Sequence, residues 1–203
     1  MSRIPAALAG HPDRLRWNER YRAAGYAPSF TPHPLAVRAL SMPLPAGPVA
    51  DLACGPSGSV LLAAASGRLV TAVDASDVAL GLLEQEARRR DLAGRITLEL
   101  ADLGAWQADP AGYALVLCTG YWDRGTFSAA VQAVRPGGMI GWEALTEAAR
   151  RDRPQMPAEW CVGPGEPAAL LPPAFEVVSQ DDVGSEPATR RRLLARLRSE
   201  PRQ

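Results

Sequence analysis

The sequence contains no lysine. All 22 of its basic residues are arginines, and 22 acidic residues balance them to a formal net charge of zero. Pyridoxal enzymes need a lysine for their Schiff base, and phosphate-loop NTPases need one to contact phosphate, so both classes are excluded. The neutral balance also argues against a protein that binds nucleic acid by electrostatic attraction.

Histidine, cysteine and long apolar runs are also scarce. The histidines are His11 and His33, and the three cysteines, Cys54, Cys118 and Cys161, are widely spaced. So few histidines and such widely spaced cysteines fit free thiols in a reducing cytoplasm better than a disulfide framework or a metal site. No apolar run reaches the length of a membrane span and the N terminus lacks a signal-peptide pattern, so we expect a cytoplasmic protein without a membrane partner.

The length suits one domain. With 203 residues, 47% of them hydrophobic, the chain can bury one α/β core but is too short for two ordinary domains. Frequent prolines divide residues 1–47 and leave room only for short helices, which we expect over Asp13 to Ala24 and His33 to Leu40. Residues 48–203 then form the core.

Apolar segments of the core end at turns or acidic residues. Val49 to Cys54 is a predicted strand that breaks at Gly55, where the backbone can approach a ligand closely. A second strand, Arg68 to Val73, delivers Asp74 to the same edge, nineteen residues after Gly55, which is a spacing typical of a ribose-binding carboxylate. Asp74 could instead simply cap the next helix. A third strand ends two residues before Asp102.

These segments resemble the motifs of the class I S-adenosylmethionine-dependent methyltransferases. Five stretches follow in the expected order over roughly residues 48–144: VADLACGPSGS, VTAVDAS, LELADL, YALVLCTGYWD and VRPGGMIGWEAL. The resemblance implies S-adenosylmethionine as cofactor, S-adenosylhomocysteine as product, and a Rossmann-like, doubly wound α/β fold. That fold is a single domain with a helical N-terminal leader and a seven-stranded, mostly parallel sheet whose last strand is antiparallel. Thr189 to Arg198 fits a helix or that last strand, and we predict the strand.

The resemblance also assigns residues to each part of the cofactor. It implies Asp51, Ala53, Gly55 and Ser57 around the methionine moiety, Asp74 on the ribose with Ala75 and Ser76 beside it, Asp102 and Leu103 at the adenine, and Cys118 and Thr119 at the sulfonium end. The family usually has glycine at the positions of Ala53 and Ser57. We therefore expect the backbone at both positions to avoid a positive φ angle.

The leader carries a further similarity. The segment RWNERY is similar to the start of the leader of the tellurite and thiopurine methyltransferases, which closes over the cofactor. Trp17 and Tyr21 stand four residues apart and share one helix face. They either form such a lid, with residues 1–47 covering the core, or only pack the leader against it.

The reaction that the resemblance implies is transfer of the sulfonium methyl group to an S, O or N atom of a small-molecule acceptor. A base is needed only if that atom carries a proton at neutral pH. The candidates are Asp123, His33, Tyr121 and Glu143, although Asp123 could merely cap a helix. We expect no metal and no nucleic acid, and a monomer or homodimer.

Two other functions stay open. One is a nicotinamide-dependent oxidoreductase, although Val60 occupies the third glycine position of its motif counted from Gly55, and Asp102 is left without a role. The other is a non-catalytic nucleoside-binding regulatory module with the same fold.

Overall fold

The computed structural model describes residues 4–185 and 189–199. Its strands are β1 (Val49–Leu52), β2 (Val70–Asp74), β3 (Ile96–Leu100), β4 (Tyr113–Thr119), β5 (Val134–Leu145), β6 (Phe175–Val183) and β7 (Arg190–Leu197). They form one seven-stranded sheet in the order β3-β2-β1-β4-β5-β7-β6. The first five pair in parallel, and β7 lies antiparallel between β5 and β6. The predicted fold class is confirmed, including a strand rather than a helix at residues 190–197.

The helices are α1 (Pro12–Arg22), α2 (Pro34–Ser41), α3 (Gly58–Ala65), α4 (Asp77–Arg89) and α5 (Arg124–Ala133). The three helices that follow β1, β2 and β4 begin at side-chain caps: Ser57 for α3, Ser76 for α4 and Asp123 for α5 each accept a hydrogen bond from a backbone N–H in the first turn. Each cap directly follows a strand-end loop. The three loops therefore turn into helices at the same edge of the sheet.

Both faces of the sheet are covered. On one face Trp122, Phe127 and Trp142 pack edge to face or tilted, with ring centroids 5.1 to 6.2 Å apart. On the other face Leu61 and Leu83 pack with residues of β1, β2 and β4. Because a parallel sheet is buried on both faces, the strands read as continuous apolar runs, and all four residues of β1 are buried.

Helix α2 belongs to this core. Leu35, Ala36 and Ala39 are almost completely buried. A Cβ atom at Gly141 of β5 would lie 3.3 Å from Cγ of Leu35, so the glycine lets the helix approach the sheet. The part of the leader that could move without opening the core is therefore the part that precedes α2.

Within residues 4–185 and 189–199, none of the helices combines the length and the apolar character that crossing a membrane requires.

Candidate functional site

The Asp74 carboxylate joins the loops that follow β1 and β2. Its Oδ2 accepts a hydrogen bond of 2.8 Å from the backbone N–H of Gly55, and its Oδ1 accepts one of 2.7 Å from that of Ser76. Asp74 is only 7% exposed. Burial raises its pKa to about 6, although hydrogen bonds from the backbone of Ser76, Gly55 and Ala75 oppose the shift.

Asp74 is not the helix cap that the sequence left as its alternative role. The cap of α4 is Ser76, whose hydroxyl accepts from the N–H of Ala79 at 3.0 Å. A carboxylate offers roughly four lone-pair positions. The amide contacts therefore leave Asp74 with capacity to accept from a hydroxyl group of a ligand.

Asp51 lies one strand away, within β1. Its Oδ2 accepts a 2.7 Å hydrogen bond from the hydroxyl of Ser57, and the Ser57 oxygen in turn accepts from the N–H of Val60. Burial raises the pKa of Asp51 to about 7, although the Ser57 hydrogen bond and the nearby His33 oppose the shift. Asp51, with a pKa near neutrality, therefore lies behind the loop between β1 and α3, which we call the first loop.

The loop between β1 and α3 corrects one expectation. The φ angle of Ser57 is −89°, as expected, but that of Ala53 is +49°, in the left-handed region. The prediction of a negative φ at Ala53 was wrong because the chain reverses sharply there. The reversal lets the N–H of Cys54 reach the carbonyl of Val73, and that of Gly55 reach Asp74. Alanine tolerates this conformation at a cost of about 1–2 kcal/mol.

Aromatic side chains of helix α1 pack against this loop. Gly55 has a φ of +58°, and a Cβ atom there would lie 2.9 Å from the hydroxyl oxygen of Tyr21. Trp17 stacks on Tyr21 with ring centroids 5.9 Å apart, and Tyr26 meets Tyr21 edge-on. Burial, followed by the charge of Asp74, raises the pKa of Tyr21 well above its usual value. The phenol is therefore neutral beside the acid.

Asn18 and Arg14 hold α1 in this position, and the sequence analysis did not single out either. The Asn18 side chain is 2% exposed, accepts from the Ser76 hydroxyl at 2.7 Å and donates to Oδ1 of Asp77 at 2.7 Å. Nε of Arg14 lies 2.7 Å from the same oxygen. The sequence offered little signal for them, because α1 is predominantly polar and its buried residues are polar as well.

Asp102 follows β3. Its Oδ1 accepts from the N–H of Gly104 at 3.0 Å, and Nε2 of His11 lies 3.7 Å from its Oδ2. Nδ1 of His11 is buried and has no hydrogen-bond partner among the residues that the structure describes. Leu103 is buried beside them. An apolar surface and an unpartnered ring nitrogen thus flank the acid.

Cys118 and Thr119 end β4. The Cys118 thiol is buried, which raises its pKa well above the usual range, and it contacts the carbonyl of Tyr121 at 3.7 Å. Thr119 pairs in register with Glu143 of β5. Gly120, with a φ of +108°, donates its N–H to the carbonyl of Glu143 at 2.7 Å.

The candidate bases differ in the hydrogen bonds that they already form within the protein and in their pKa values. Oδ1 of Asp123 accepts from the N–H of Thr126 at 2.7 Å and from its hydroxyl at 3.0 Å, as a helix cap. Burial raises the pKa of Tyr121. Nδ1 of His33 accepts from the N–H of Leu35, so Nε2 carries the proton and donates it to Glu143 at 3.2 Å.

Glu143 is the centre of a buried charge cluster. It is 4% exposed, and its Oε2 lies 2.8 Å from Nε and 2.7 Å from an Nη atom of Arg192. Although burial acts to raise its pKa, the hydrogen bonds from His33 and Arg192 outweigh burial and hold the pKa below its usual value. Arg190 lies further out, with Nε 3.9 Å from Oε1 of Glu143. Glu143 was among the expected bases, but neither arginine was expected, although their spacing of two in a strand puts them on one face.

Comparison with known proteins bears on this arrangement. Residues 49–138 match the protein family described as a methyltransferase domain. No curated protein is similar enough in sequence to count as a match.

Several solved structures have a similar fold. One, described as "Conversion of a Disulfide Bond into a Thioacetal Group during Echinomycin Biosynthesis", is 19% identical, with 91% of this chain and 92% of that chain covered and a TM-score of 0.69. The N-methyltransferase NodS from Bradyrhizobium japonicum WM9 is 16% identical, with 81% and 93% covered and a TM-score of 0.63. The magnesium protoporphyrin IX methyltransferase ChlM from Synechocystis PCC 6803, crystallised with S-adenosylhomocysteine, is 19% identical, with 81% and 80% covered and a TM-score of 0.61.

At these identities the structural similarity establishes the fold alone. The family match adds the type of domain and covers Asp51, Asp74 and Asp102. Residues 49–138 are therefore similar to a methyltransferase domain, and most of the chain shares its fold with solved methyltransferases.

Proposed function

We propose that this protein transfers the methyl group of S-adenosylmethionine to a small-molecule acceptor. The observation that carries the proposal is the Asp74 carboxylate, which is buried at the carboxyl end of β2, held by two backbone amides and left with acceptor capacity. This is the donor and acceptor pattern that the hydroxyl groups of a ribose complement.

The described residues fit the rest of such a cofactor. The buried, unpartnered Nδ1 of His11 beside Asp102 and Leu103 suits the polar edge and apolar face of an adenine. Asp51, behind the first loop, is suited to the cationic amino group of the methionine moiety because a nearby positive charge favours its ionised form. The expected contacts of Ala53, Gly55, Ser57, Ala75, Ser76, Cys118 and Thr119 belong to this proposal.

The bound cofactor supplies an electrophilic methyl group, and the chain orients an acceptor and excludes water from it. Trp17 and Tyr21 support a role for the leader as a lid, because α1 places them against the first loop. We assign residues 1–47 to this leader and 48–203 to the methyltransferase domain; within the leader, α2 packs into the hydrophobic core and α1 is the moving part.

The acceptor atom in this proposal is sulfur or another soft nucleophile, as in the tellurite and thiopurine group that the leader resembles. An acceptor that is already ionised needs no base. Both nitrogens of His33 are engaged and the pKa of Tyr121 is raised, which supports an orienting site. If the acceptor does carry a proton, Asp123 is the remaining candidate, through its second oxygen.

The three cysteines are free, which supports our proposal of a reducing, cytoplasmic location. The partner is the small-molecule acceptor rather than nucleic acid, and the protein acts as a monomer or homodimer.

The test compares ligands by thermal unfolding and then by turnover. S-adenosylhomocysteine should raise the melting temperature, since a ligand at a hundredfold excess over its dissociation constant adds about 2.7 kcal/mol to the free energy of unfolding. NAD and ATP should not. A panel of thiols, phenols and amines is then screened for formation of S-adenosylhomocysteine. Equal stabilisation by NAD would overturn the cofactor assignment, and binding without turnover on any acceptor would favour the regulatory module.

A further inference from the structure

Two arginines of β7 lie beside the end of β4 and differ in how they are paired. Thr119 pairs in register with Glu143, and Glu143 pairs with Arg192, so these three residues stand side by side across β4, β5 and β7. Arg190 pairs with Leu145, two residues further toward the same edge. Because side chains alternate along a strand, Arg190 and Arg192 project from the same face.

Arg192 is committed to Glu143. Both its Nε and an Nη atom lie within 2.8 Å of one carboxylate oxygen, and the Glu143 side chain is 5% exposed. His33 donates to the other oxygen. These contacts neutralise Arg192 and fix the carboxylate in place.

Arg190 does not form a comparably close ion pair. Its Nε lies 3.9 Å from Glu143, beyond hydrogen-bond length, and its side chain is 40% exposed. Glu143 already accepts from Arg192 and His33, so one carboxylate faces two guanidinium groups. Asp51, beyond His33, is hydrogen-bonded to Ser57 of the first loop. Asp181 of β6 pairs in register with Arg192 but forms no ion pair among the described residues, so the cluster of Arg190, Arg192, Glu143 and His33 keeps an excess positive charge.

That excess lies at the proposed acceptor side of the methyl group. An Nη atom of Arg190 is 3.9 Å from where a Cβ atom of Gly120 would stand, and Gly120 directly follows Thr119. The absent side chain at Gly120 leaves the guanidinium open toward the end of β4. A planar guanidinium with free N–H groups matches the geometry of a carboxylate.

We propose that the acceptor is a compact anion, a carboxylate or a group of equivalent charge and shape, and that Arg190 binds this group. The proposal rests on the proposed methyltransferase function and adds the class of substrate. Glu143 and His33 hold Arg192 in place and leave Arg190 as the anion contact.

The experiment measures binding to the protein saturated with S-adenosylhomocysteine, so that turnover is not required. Calorimetric titrations compare pairs of probes that differ only in a carboxylate: 4-mercaptobenzoate against benzenethiol, 4-hydroxybenzoate against phenol, and anthranilate against aniline. The proteins are the wild type, Arg190→Gln, Arg190→Lys, and the matched control Arg198→Gln. Arg198 is an exposed arginine that follows the opposite end of β7, so its substitution removes the same charge away from the site.

In at least one pair, the wild type should bind the carboxylate member about tenfold more tightly or better, the value of a charge-assisted hydrogen bond. Arg190→Gln should abolish this preference without changing the affinity for the neutral member or for S-adenosylhomocysteine. Arg190→Lys should keep part of it, and Arg198→Gln should keep all of it.

The proposal is overturned if no pair shows the preference in the wild type, or if Arg190→Gln retains it. An equal loss in Arg198→Gln would also overturn it, because a general effect of net charge would then explain the preference. Should Arg190→Gln fail to fold, a reduced anion preference in Arg190→Lys that is lost at high salt decides for the proposal, and a preference equal to that of the wild type or unaffected by salt decides against it. Failure of S-adenosylhomocysteine to bind the wild type would instead contradict the methyltransferase function itself.

Discussion

The side-chain amide of Asn18 donates a 2.7 Å hydrogen bond to the carboxylate of Asp77, which ties the first helix of the leader to the first turn of α4. The Asn18 oxygen accepts from the hydroxyl of Ser76 in the same turn. Ser76 also gives its backbone N–H to Asp74. The position of the leader and the geometry of the proposed ribose acid are therefore linked through a single residue.

Asn18→Ala should loosen α1 and weaken cofactor binding together. The substitution leaves the Ser76 hydroxyl and the Asp77 carboxylate with fewer partners, so the free energy of unfolding should fall by about 1–3 kcal/mol. The affinity for S-adenosylhomocysteine should fall as well, because Tyr21 loses its anchored position. Urea denaturation and calorimetry provide the measurements, with exposed Glu19→Ala on the same helix as control. Lower stability with unchanged cofactor affinity and turnover would mean that α1 only packs.

Asp74→Ala should weaken binding of S-adenosylhomocysteine by about 1.5–3 kcal/mol or more, because charge-assisted hydrogen bonds to the ribose are lost. Asp102→Ala should cost less, because it would remove one contact to the exocyclic amine of adenine. Calorimetry at constant pH compares the two variants. Wild-type affinity in Asp74→Ala would show that Asp74 serves only to join the loops.

Asp51 should make the ligand-free protein less stable as the pH rises. Its pKa is about 7 in the folded state against 3.8 for an unperturbed carboxyl group, so between these values the folded state binds more protons than the unfolded state. The free energy of unfolding should therefore fall from pH 4 to pH 7 relative to Asp51→Asn, which does not titrate. The difference should be near zero at low pH and on the order of a few kcal/mol above pH 7. Urea denaturation of both proteins at pH 5 and pH 8 tests the sign, and a constant difference would contradict it.

Cofactor binding should release protons from the same acid. A cationic amino group close to Asp51 favours its ionised form, so the carboxyl group should lose its proton when S-adenosylhomocysteine binds near pH 6.5. Calorimetry in two buffers with different ionisation enthalpies measures the release. Asp51→Asn should reduce it, and buffer-independent heats in the wild type would place the amino group elsewhere.

Asp123→Asn should distinguish an orienting site from one that takes a proton. Asparagine keeps an oxygen that can accept from Thr126, so the cap of α5 should survive. With a thiolate acceptor, turnover should change by less than about tenfold, whereas loss of a general base lowers turnover by about 10²–10⁴-fold. Rate profiles against pH for wild type, Asp123→Asn and His33→Ala make the comparison. A thousandfold loss on a thiol, with cofactor affinity intact, would identify Asp123 as the base.

Ala53→Gly should relieve strain in the first loop. The left-handed φ of +49° costs alanine about 1–2 kcal/mol, and glycine gives back part of that gain through its greater freedom in the unfolded chain. We expect the free energy of unfolding to rise by up to about 1 kcal/mol, measured by urea denaturation. A fall in stability would mean that the Ala53 methyl group makes packing contacts worth more than the strain.

Much of the fold could be predicted from the sequence because the relevant signals are local. The predicted bounds of β1 and β2 lie within two residues of the observed ones, β3 ends at Leu100 as predicted, and the acid at the end of β2 follows from its distance to Gly55. The capping role weighed for Asp123 is also found in the structure. Each of these features depends on residues within one or two turns of chain, where propensity and capping act directly.

The hydrogen bonds and ion pairs of the candidate site join residues far apart in the sequence, so only the tertiary structure determines them. His33 reaches Glu143 across 110 residues, and Asn18 reaches Asp77 across 59. The positive φ of Ala53 follows from the need to bring Gly55 to Asp74, which no propensity of alanine indicates. By itself the sequence determined which residues end the strands, because backbone preferences are local. The tertiary structure decided which charges are paired and which stay open, because burial and hydrogen bonding depend on neighbours that the chain brings together from a distance.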